Sequence, residues 1–145
     1  MHRILKSHLE NFVSSFELSD LGEAKQFEQF VNYCVIAPRT AENFDIGDVT
    51  TGEGDSGIDG VAIVVDEEVV LSASDAELVF STEKKNHDVD LIFCQAKTSE
   101  GFDLGDFLKF QQGVLAFVNS DSFTPPDEVE AEAHETVNVF LNNVP

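Results

Sequence analysis

The chain has 145 residues, of which 42% are apolar and 13 are Phe, so it can bury the core of one domain. Eight basic and 28 acidic residues give a formal net charge of −20, which repels phosphate backbones and anionic membranes. No apolar run reaches the roughly 18 residues of a membrane span, and the N-terminus, MHRILKSHLENFV, lacks a secretory-signal pattern. We therefore expect a cytoplasmic protein that does not contact a membrane.

The first part of the chain, residues 1–37, is predicted to be helical. Apolar residues repeat at helical spacing over 3–16, and they are Ile4, Leu5, Leu9, Phe12, Val13 and Phe16. Ser19 or Asp20 is the predicted N-cap of a second helix, since Glu23 follows Asp20 by three residues. This helix should end before Pro38, and its predicted inward-facing residues are Phe27, Phe30, Val31, Cys34 and Val35.

The sheet core is predicted to span residues 58–97, after a polar, glycine-rich loop. A run rich in β-branched residues at 61–65 indicates a buried strand, and a tight turn near Asp66 and Glu67 leads into a second. The predicted strands lie at 61–65, 67–74 and 89–97, and residues 75–87 fit either a helix or a strand.

Two further helices are predicted at 103–118 and 127–143, separated by Pro125 and Pro126. Apolar residues at helical spacing trace the last helix, and they are Val129, Ala133, Val137, Phe140, Leu141 and Val144. This helix is predicted to pack by Val129, Ala133, Val137, Phe140 and Val144, either on this domain or on a second copy. The expected fold is a single α/β domain, in which a small mixed sheet is flanked by helices. Because three strands make a small sheet, we expect the chain to be the N-terminal part of a longer protein that supplies further strands.

The two cysteines, Cys34 and Cys94, lie among apolar neighbours. This setting favours buried free thiols in a reducing compartment over a disulfide.

Polar residues at the ends of two predicted strands suggest a site. Gln95 and Lys97 are two residues apart and therefore project to the same side of an extended strand. Asp59 stands at the start of the 61–65 strand, after a loop rich in Gly and Asp. The three side chains are expected to meet at one edge of the sheet.

The residue types suit metal-assisted hydrolysis of a phosphodiester. The Asp59 carboxylate, the Gln95 amide oxygen and the Ala96 backbone carbonyl are hard oxygen ligands for Mg²⁺ or Mn²⁺. Lys97 could orient or help to deprotonate a water, or offset charge on the scissile phosphate. Glu28, beside an inward-facing Phe in QFEQF, could complete the site from the second helix, through water.

The stretch GEGDSGIDG, followed by an apolar strand and then by FCQAK, resembles the Mrr-like branch of the PD-(D/E)XK nucleases, which have the restriction-endonuclease fold. The longer segment QAKTSEGFDLGDFLKF is similar to the N-terminal region of abortive-infection phage-resistance proteins. The resemblance covers roughly residues 20–120. It implies a sheet with helices on both faces and DNA as the usual substrate.

Position by position, the resemblance makes Asp59 a metal ligand, Gln95 a second ligand, Lys97 the catalytic lysine and Glu28 the helical acid. The expected partner is a nucleic acid, DNA rather than RNA, bound by the full-length protein with its missing C-terminal region, and a homodimer is compatible with this reading. Two features depart from expectation: Gln95 lies 36 positions after Asp59, and the chain is strongly acidic.

Other interpretations of the same residues remain open. Asp59 could simply cap a turn, and Lys97 and Glu28 could be ordinary solvated residues. Glu53 and Asp55 could serve only solubility or could bind a second cation. The whole domain could be a non-catalytic interaction module with an acidic surface, or its charge could serve solvation alone in a salt-rich cell.

Overall fold

The computed structural model describes residues 1–52, 57–82, 86–99, 101–119 and 128–143. Within these ranges the helices are α1 (Arg3–Ser15), α2 (Glu23–Ile36), α3 (Ala73–Phe80), α4 (Leu104–Val118) and α5 (Glu128–Asn142). The strands are β1 (Gly60–Val65), β2 (Glu68–Val69) and β3 (Val89–Cys94), and short 3-10 turns lie at Ala37–Arg39 and Ile46–Val49. No helix in the described ranges combines the length and the apolar character needed to cross a membrane.

The sheet has the strand order β2-β1-β3, and both pairings are antiparallel. The α/β class is confirmed, whereas the prediction of a mixed sheet is wrong for the described residues. β1 turns directly into β2 through Asp66 and Glu67, whose φ angles of 49° and 69° fit a two-residue hairpin turn. β2 and β3 lie on opposite sides of β1 and run in the same direction, so the connection through α3 must cross the sheet.

This crossover accounts for the separation of 36 positions between Asp59 and Gln95. The interval holds all three described strands and α3, which a simple hairpin would not need. The long spacing is therefore compatible with Asp59 and Gln95 lying at the same end of the paired strands β1 and β3.

Apolar clusters cover both faces of the sheet. One cluster joins alternate residues of β1 to α3, α4 and α5, and its buried members are Ile58, Val61, Ile63, Val65, Val70, Ala76, Phe117, Ala133, Val137 and Phe140. The other joins the sheet to α1, α2 and the second 3-10 turn, and its buried members are Phe12, Ile36, Ile46, Val49, Ala62 and Cys94. The molecule thus has helices on each side of a central sheet.

The helices begin and end close to their predicted bounds, but some predicted details are wrong. The N-cap of α2 is Gly22, with no side-chain hydrogen bond, so neither Ser19 nor Asp20 caps this helix. Cys34 is exposed, because it lies on the side of α2 that is turned away from the sheet, whereas Cys94 is buried as predicted. Both cysteines are free thiols.

Two strands are shorter than predicted. The second predicted strand, 67–74, contains only the two residues of β2, because the Ser72 hydroxyl accepts a hydrogen bond from Asp75 N and caps α3. The third, 89–97, ends at Cys94. Gln95 and Lys97 therefore follow the strand and do not belong to it.

The last helix packs on this domain, as one of the predicted arrangements required. Ala133, Val137 and Phe140 of α5 are buried against the sheet, and Val129 packs beside them. Leu141, which belongs to the helical pattern but not to the predicted packing residues, is 47% exposed. Val144 lies outside the described residues.

Candidate functional site

Asp59 closes the paired strands β1 and β3 at one end. Its backbone N–H donates to the Cys94 carbonyl over 2.8 Å, and its carboxylate oxygen Oδ2 accepts from Ala96 N over 2.8 Å. The side chain thus takes the place of a backbone acceptor, which explains why regular pairing stops at Cys94. The same hydrogen bond fixes the orientation of the carboxylate.

A buried amide on α2 holds this helix against the Asp59 segment. Asn32 is fully buried, and its Nδ2 donates to the Asp59 carbonyl over 3.0 Å and to Thr50 Oγ1 over 3.2 Å. A Cβ atom at Gly60 would lie 2.3 Å from Asn32 Oδ1, so only glycine leaves room for this contact. The final Gly of the GIDG motif therefore has a packing role.

Glu28 lies one helical turn before Asn32 and shares its face of α2. Its Oε2 is paired with Lys25 Nζ at 2.5 Å, and Lys25 Nζ also donates to the Thr51 carbonyl over 2.8 Å. Lys25 therefore ties Glu28 to the segment that precedes the sheet. This arrangement restricts the rotamers available to Glu28.

Gln95 is held by the backbone of Gly57 and by α4. Its Nε2 donates to the Gly57 carbonyl over 3.3 Å and to the Asp106 carbonyl over 3.1 Å. Because both amide protons face backbone carbonyls, the amide oxygen Oε1 is directed away from them. Gly57 has a φ of 76° and lies so close to α4 that a Cβ would approach Phe110 N to 2.9 Å.

Lys97 points towards the same helix. Its Nζ lies 3.0 Å from Asp106 Oδ2, and the two side chains are 47% and 46% exposed. An ion pair so open to water contributes about 0–1 kcal/mol, so the ammonium can leave Asp106 at little cost. Lys97 could therefore pair with another anion without a change of fold.

Asp59 lies within the electrostatic reach of three other charged groups. Burial raises the pKa of its carboxyl and the charge of Glu28 raises it further, whereas the Ala96 hydrogen bond, Lys97 and Lys25 lower it. The neighbouring Cys94 thiol has a pKa of about 11, raised by burial and by the Asp59 charge. Cys94 is therefore a neutral core residue and a poor nucleophile.

The structure thus brings all five sequence-predicted positions to one end of the sheet. Asp59, Glu28 and Lys97 interact electrostatically, Ala96 bonds to Asp59, and Gln95 lies alongside. No group of three or more His, Cys, Asp or Glu side chains with metal-binding geometry occurs in the described ranges. Glu53 and Asp55, considered for a second cation, lie outside them.

Sequence reasoning missed three residues that position the site: Lys25, Asn32 and Asp106. Two of them carried a usable signal. Lys25 and Asn32 lie three residues before and four residues after Glu28, so all three share one face of α2. Asp106 carried none, since its pairing with Lys97 depends on how α4 packs.

Comparison of the chain with protein-family models, with curated proteins and with solved structures found no match.

Proposed function

We propose that the chain is a metal-dependent nuclease domain that hydrolyses a phosphodiester in DNA, in a cytoplasmic bacterial system of defence against phage. One observation carries the chemical part of this proposal: an oriented, half-buried Asp59 lies among Glu28, Lys97 and Gln95. The restriction-endonuclease-like fold and the role in defence follow from the resemblance of the motifs.

The donor set fits a hard divalent cation. Asp59 uses Oδ2 for Ala96 and Glu28 uses Oε2 for Lys25; in the described part of the chain their second oxygens accept no hydrogen bond. Mg²⁺ accepts one or two carboxylates and completes its shell with water, so a small protein ligand set suffices. Asp59 and Glu28 would hold the ion, with Gln95 Oε1 and the Ala96 carbonyl as neutral ligands.

The bound Mg²⁺ or Mn²⁺ would act as a Lewis acid on the phosphate and lower the pKa of a water. Residues of the chain would supply the charge compensation and the positioning. Lys97 would exchange Asp106 for the scissile phosphate and offset the negative charge that grows in the transition state. Lys25 would keep Glu28 in position.

The test is cleavage by the full-length protein. Wild type, Lys97→Ala and Lys6→Ala would be assayed on single- and double-stranded DNA and RNA, with Mg²⁺, Mn²⁺ or EDTA. We expect Lys97→Ala to lower the cleavage rate by about 100–1000-fold, because transition-state charge would be unmatched. Lys6→Ala removes an exposed lysine of α1 and should leave the rate unchanged. Equal rates in all three proteins would overturn the role of Lys97.

A second candidate function is a non-catalytic interaction module with an acidic surface. The observation that favours it is the pairing of both site lysines with carboxylates, within a chain of net charge −20. It predicts that the full-length protein neither binds a divalent ion at Asp59 nor cleaves any nucleic acid. The cleavage assay and a metal titration therefore separate the two candidates.

A further inference from the structure

A groove of about 1070 Å³ runs between α1 and the start of α2. Its floor is apolar and includes Leu9, Val13 and the buried ring of Phe27. The groove extends to Thr98, next to Lys97, so one end lies beside the candidate site. It is large enough to accept several side chains, since pockets for drug-sized ligands measure roughly 300–1000 Å³.

The apolar face of α1 is wider than the part that the domain covers. Phe12 is its only buried residue, while Ile4 and Leu5 are 63% and 38% exposed and Leu9 is half-buried. The periodic apolar pattern that predicted this helix therefore presents more apolar surface than the domain buries. Apolar side chains along one helix and an adjoining groove are typical of a surface that binds a partner helix.

The rim of the groove is acidic. The exposed carboxylates on the rim are those of Glu10, Glu17, Asp20 and Glu23. Among the described residues that line the groove, the basic side chain is that of Lys6. This excess of negative charge repels nucleic acid and favours a cationic occupant.

We propose that this groove binds a cationic amphipathic helix of a partner protein. Leu or other apolar residues spaced at i, i+3, i+4 and i+7 would enter the groove over Leu9, Val13 and Phe27. Lys or Arg residues flanking that stripe would pair with the acidic rim. The inference does not rest on the proposed hydrolysis, because it uses neither Asp59 nor Lys97.

The probe is a synthetic 14-residue peptide of Leu and Lys with that spacing, and a Leu/Glu peptide of the same pattern is its control. Binding to the 145-residue chain would be measured by isothermal titration calorimetry. We expect saturable 1:1 binding of the Leu/Lys peptide and no binding of the Leu/Glu peptide. Part of the affinity should survive in high salt, because the apolar contribution is not screened.

Two triple variants locate the interaction. The rim variant carries Glu17→Gln, Asp20→Asn and Glu23→Gln. The control variant removes the same charge elsewhere through Glu42→Gln, Glu68→Gln and Glu77→Gln, which are exposed residues. We expect the rim variant to weaken binding by about 10-fold or more, because three ion pairs with the rim are lost, and the control variant by less than about 2-fold.

The floor is tested by Leu9→Gln, which keeps the length of the side chain but not its apolar character. Leu9→Gln should weaken the binding of the Leu/Lys peptide several-fold, and thermal unfolding will verify that the variant is folded. Absence of binding, or equal losses in the two triple variants, would overturn the proposal. So would a concentration-dependent dimer in analytical ultracentrifugation that Leu9→Gln dissociates, since a second copy would then fill the groove.

Discussion

The two ends of the β1–β3 pair are closed by the same device. At one end, Asp59 N donates to the Cys94 carbonyl and Ala96 N donates to Asp59 Oδ2. At the other end, Asp66 N donates to the Asp88 carbonyl over 2.9 Å and Asp88 N donates to Asp66 Oδ1 over 3.0 Å. An aspartate that bridges two strands is therefore a structural feature of this sheet and does not by itself mark a site.

The difference lies in the neighbours of each carboxylate. Asp66 Oδ2 lies 2.6 Å from Nδ1 of His87, whose side chain is 9% exposed. Asp59 instead lies near two lysines and a second carboxylate, and its pKa is raised by burial. Asp59 thus serves as a turn cap, as one interpretation of the sequence had it, and it also lies among the charged groups on which the proposed metal site rests.

The largest expected effect is a difference in cleavage activity between the variants Asp59→Asn and Asp66→Asn. Asp59→Asn in the full-length protein removes an anionic metal ligand and should lower Mg²⁺-dependent cleavage by more than about 100-fold, since even outer-shell partners of a metal contribute 10–100-fold. Asp66→Asn preserves a side-chain acceptor for Asp88 N and should leave cleavage unchanged. Initial rates at saturating metal would be compared. Similar losses in both variants would mean that the effect arises from strand closure.

The next effect concerns stability at the Asp59 end alone. Gly60→Ala would force a Cβ onto the buried Asn32 amide, and overpacking of this kind costs about 1–3 kcal/mol. Urea denaturation would measure the change in the free energy of unfolding. The double variant Gly60→Ala/Asn32→Ala should cost less than the sum of the two single changes, because removal of the amide relieves the clash. Additive losses would show that the two residues are not coupled.

Much of the fold could be predicted from the sequence, because helical spacing and β-branched runs are local signals. The grouping of Asp59, Gln95 and Lys97 at one end of the sheet was also predictable, since strand ends are visible as changes from apolar to polar residues. What it could not supply were pairings between distant elements. The contact of Asp106 with Lys97 depends on the packing of α4, and the early end of β3 depends on the side chain of Asp59.

A smaller expected effect is a pH dependence of the free energy of unfolding that arises from Asp59. Because the Asp59 pKa is raised in the folded chain, the folded state holds more protons than the unfolded state between the ordinary value, about 3.9, and the raised one. The free energy of unfolding of the wild type should therefore fall, relative to Asp59→Asn, as pH rises through that interval. Denaturation of both proteins in parallel from pH 3 to 8, without metal, would measure the difference. A wild type that gains stability over Asp59→Asn with rising pH would contradict this sign.

The smallest effect lies at the Asp66 end. Glu67 has a φ of 69°, a region that glycine adopts without strain, so Glu67→Gly should stabilise the hairpin by up to about 1 kcal/mol. Thermal unfolding would detect this stabilisation as a rise in Tm. Glu68→Gly, within β2, is the matched control and should lower Tm. A fall in Tm for Glu67→Gly would indicate that its side chain has a role in the turn.

Titration of Mn²⁺ into the wild type, Asp59→Asn and Asp66→Asn tests the central claim most directly. All three proteins carry nearly the same large negative charge, so weak binding to surface carboxylates is common to them. We predict one additional, tighter ion per chain in the wild type and in Asp66→Asn, and its loss in Asp59→Asn. Indistinguishable binding in the three proteins would contradict a metal site at Asp59.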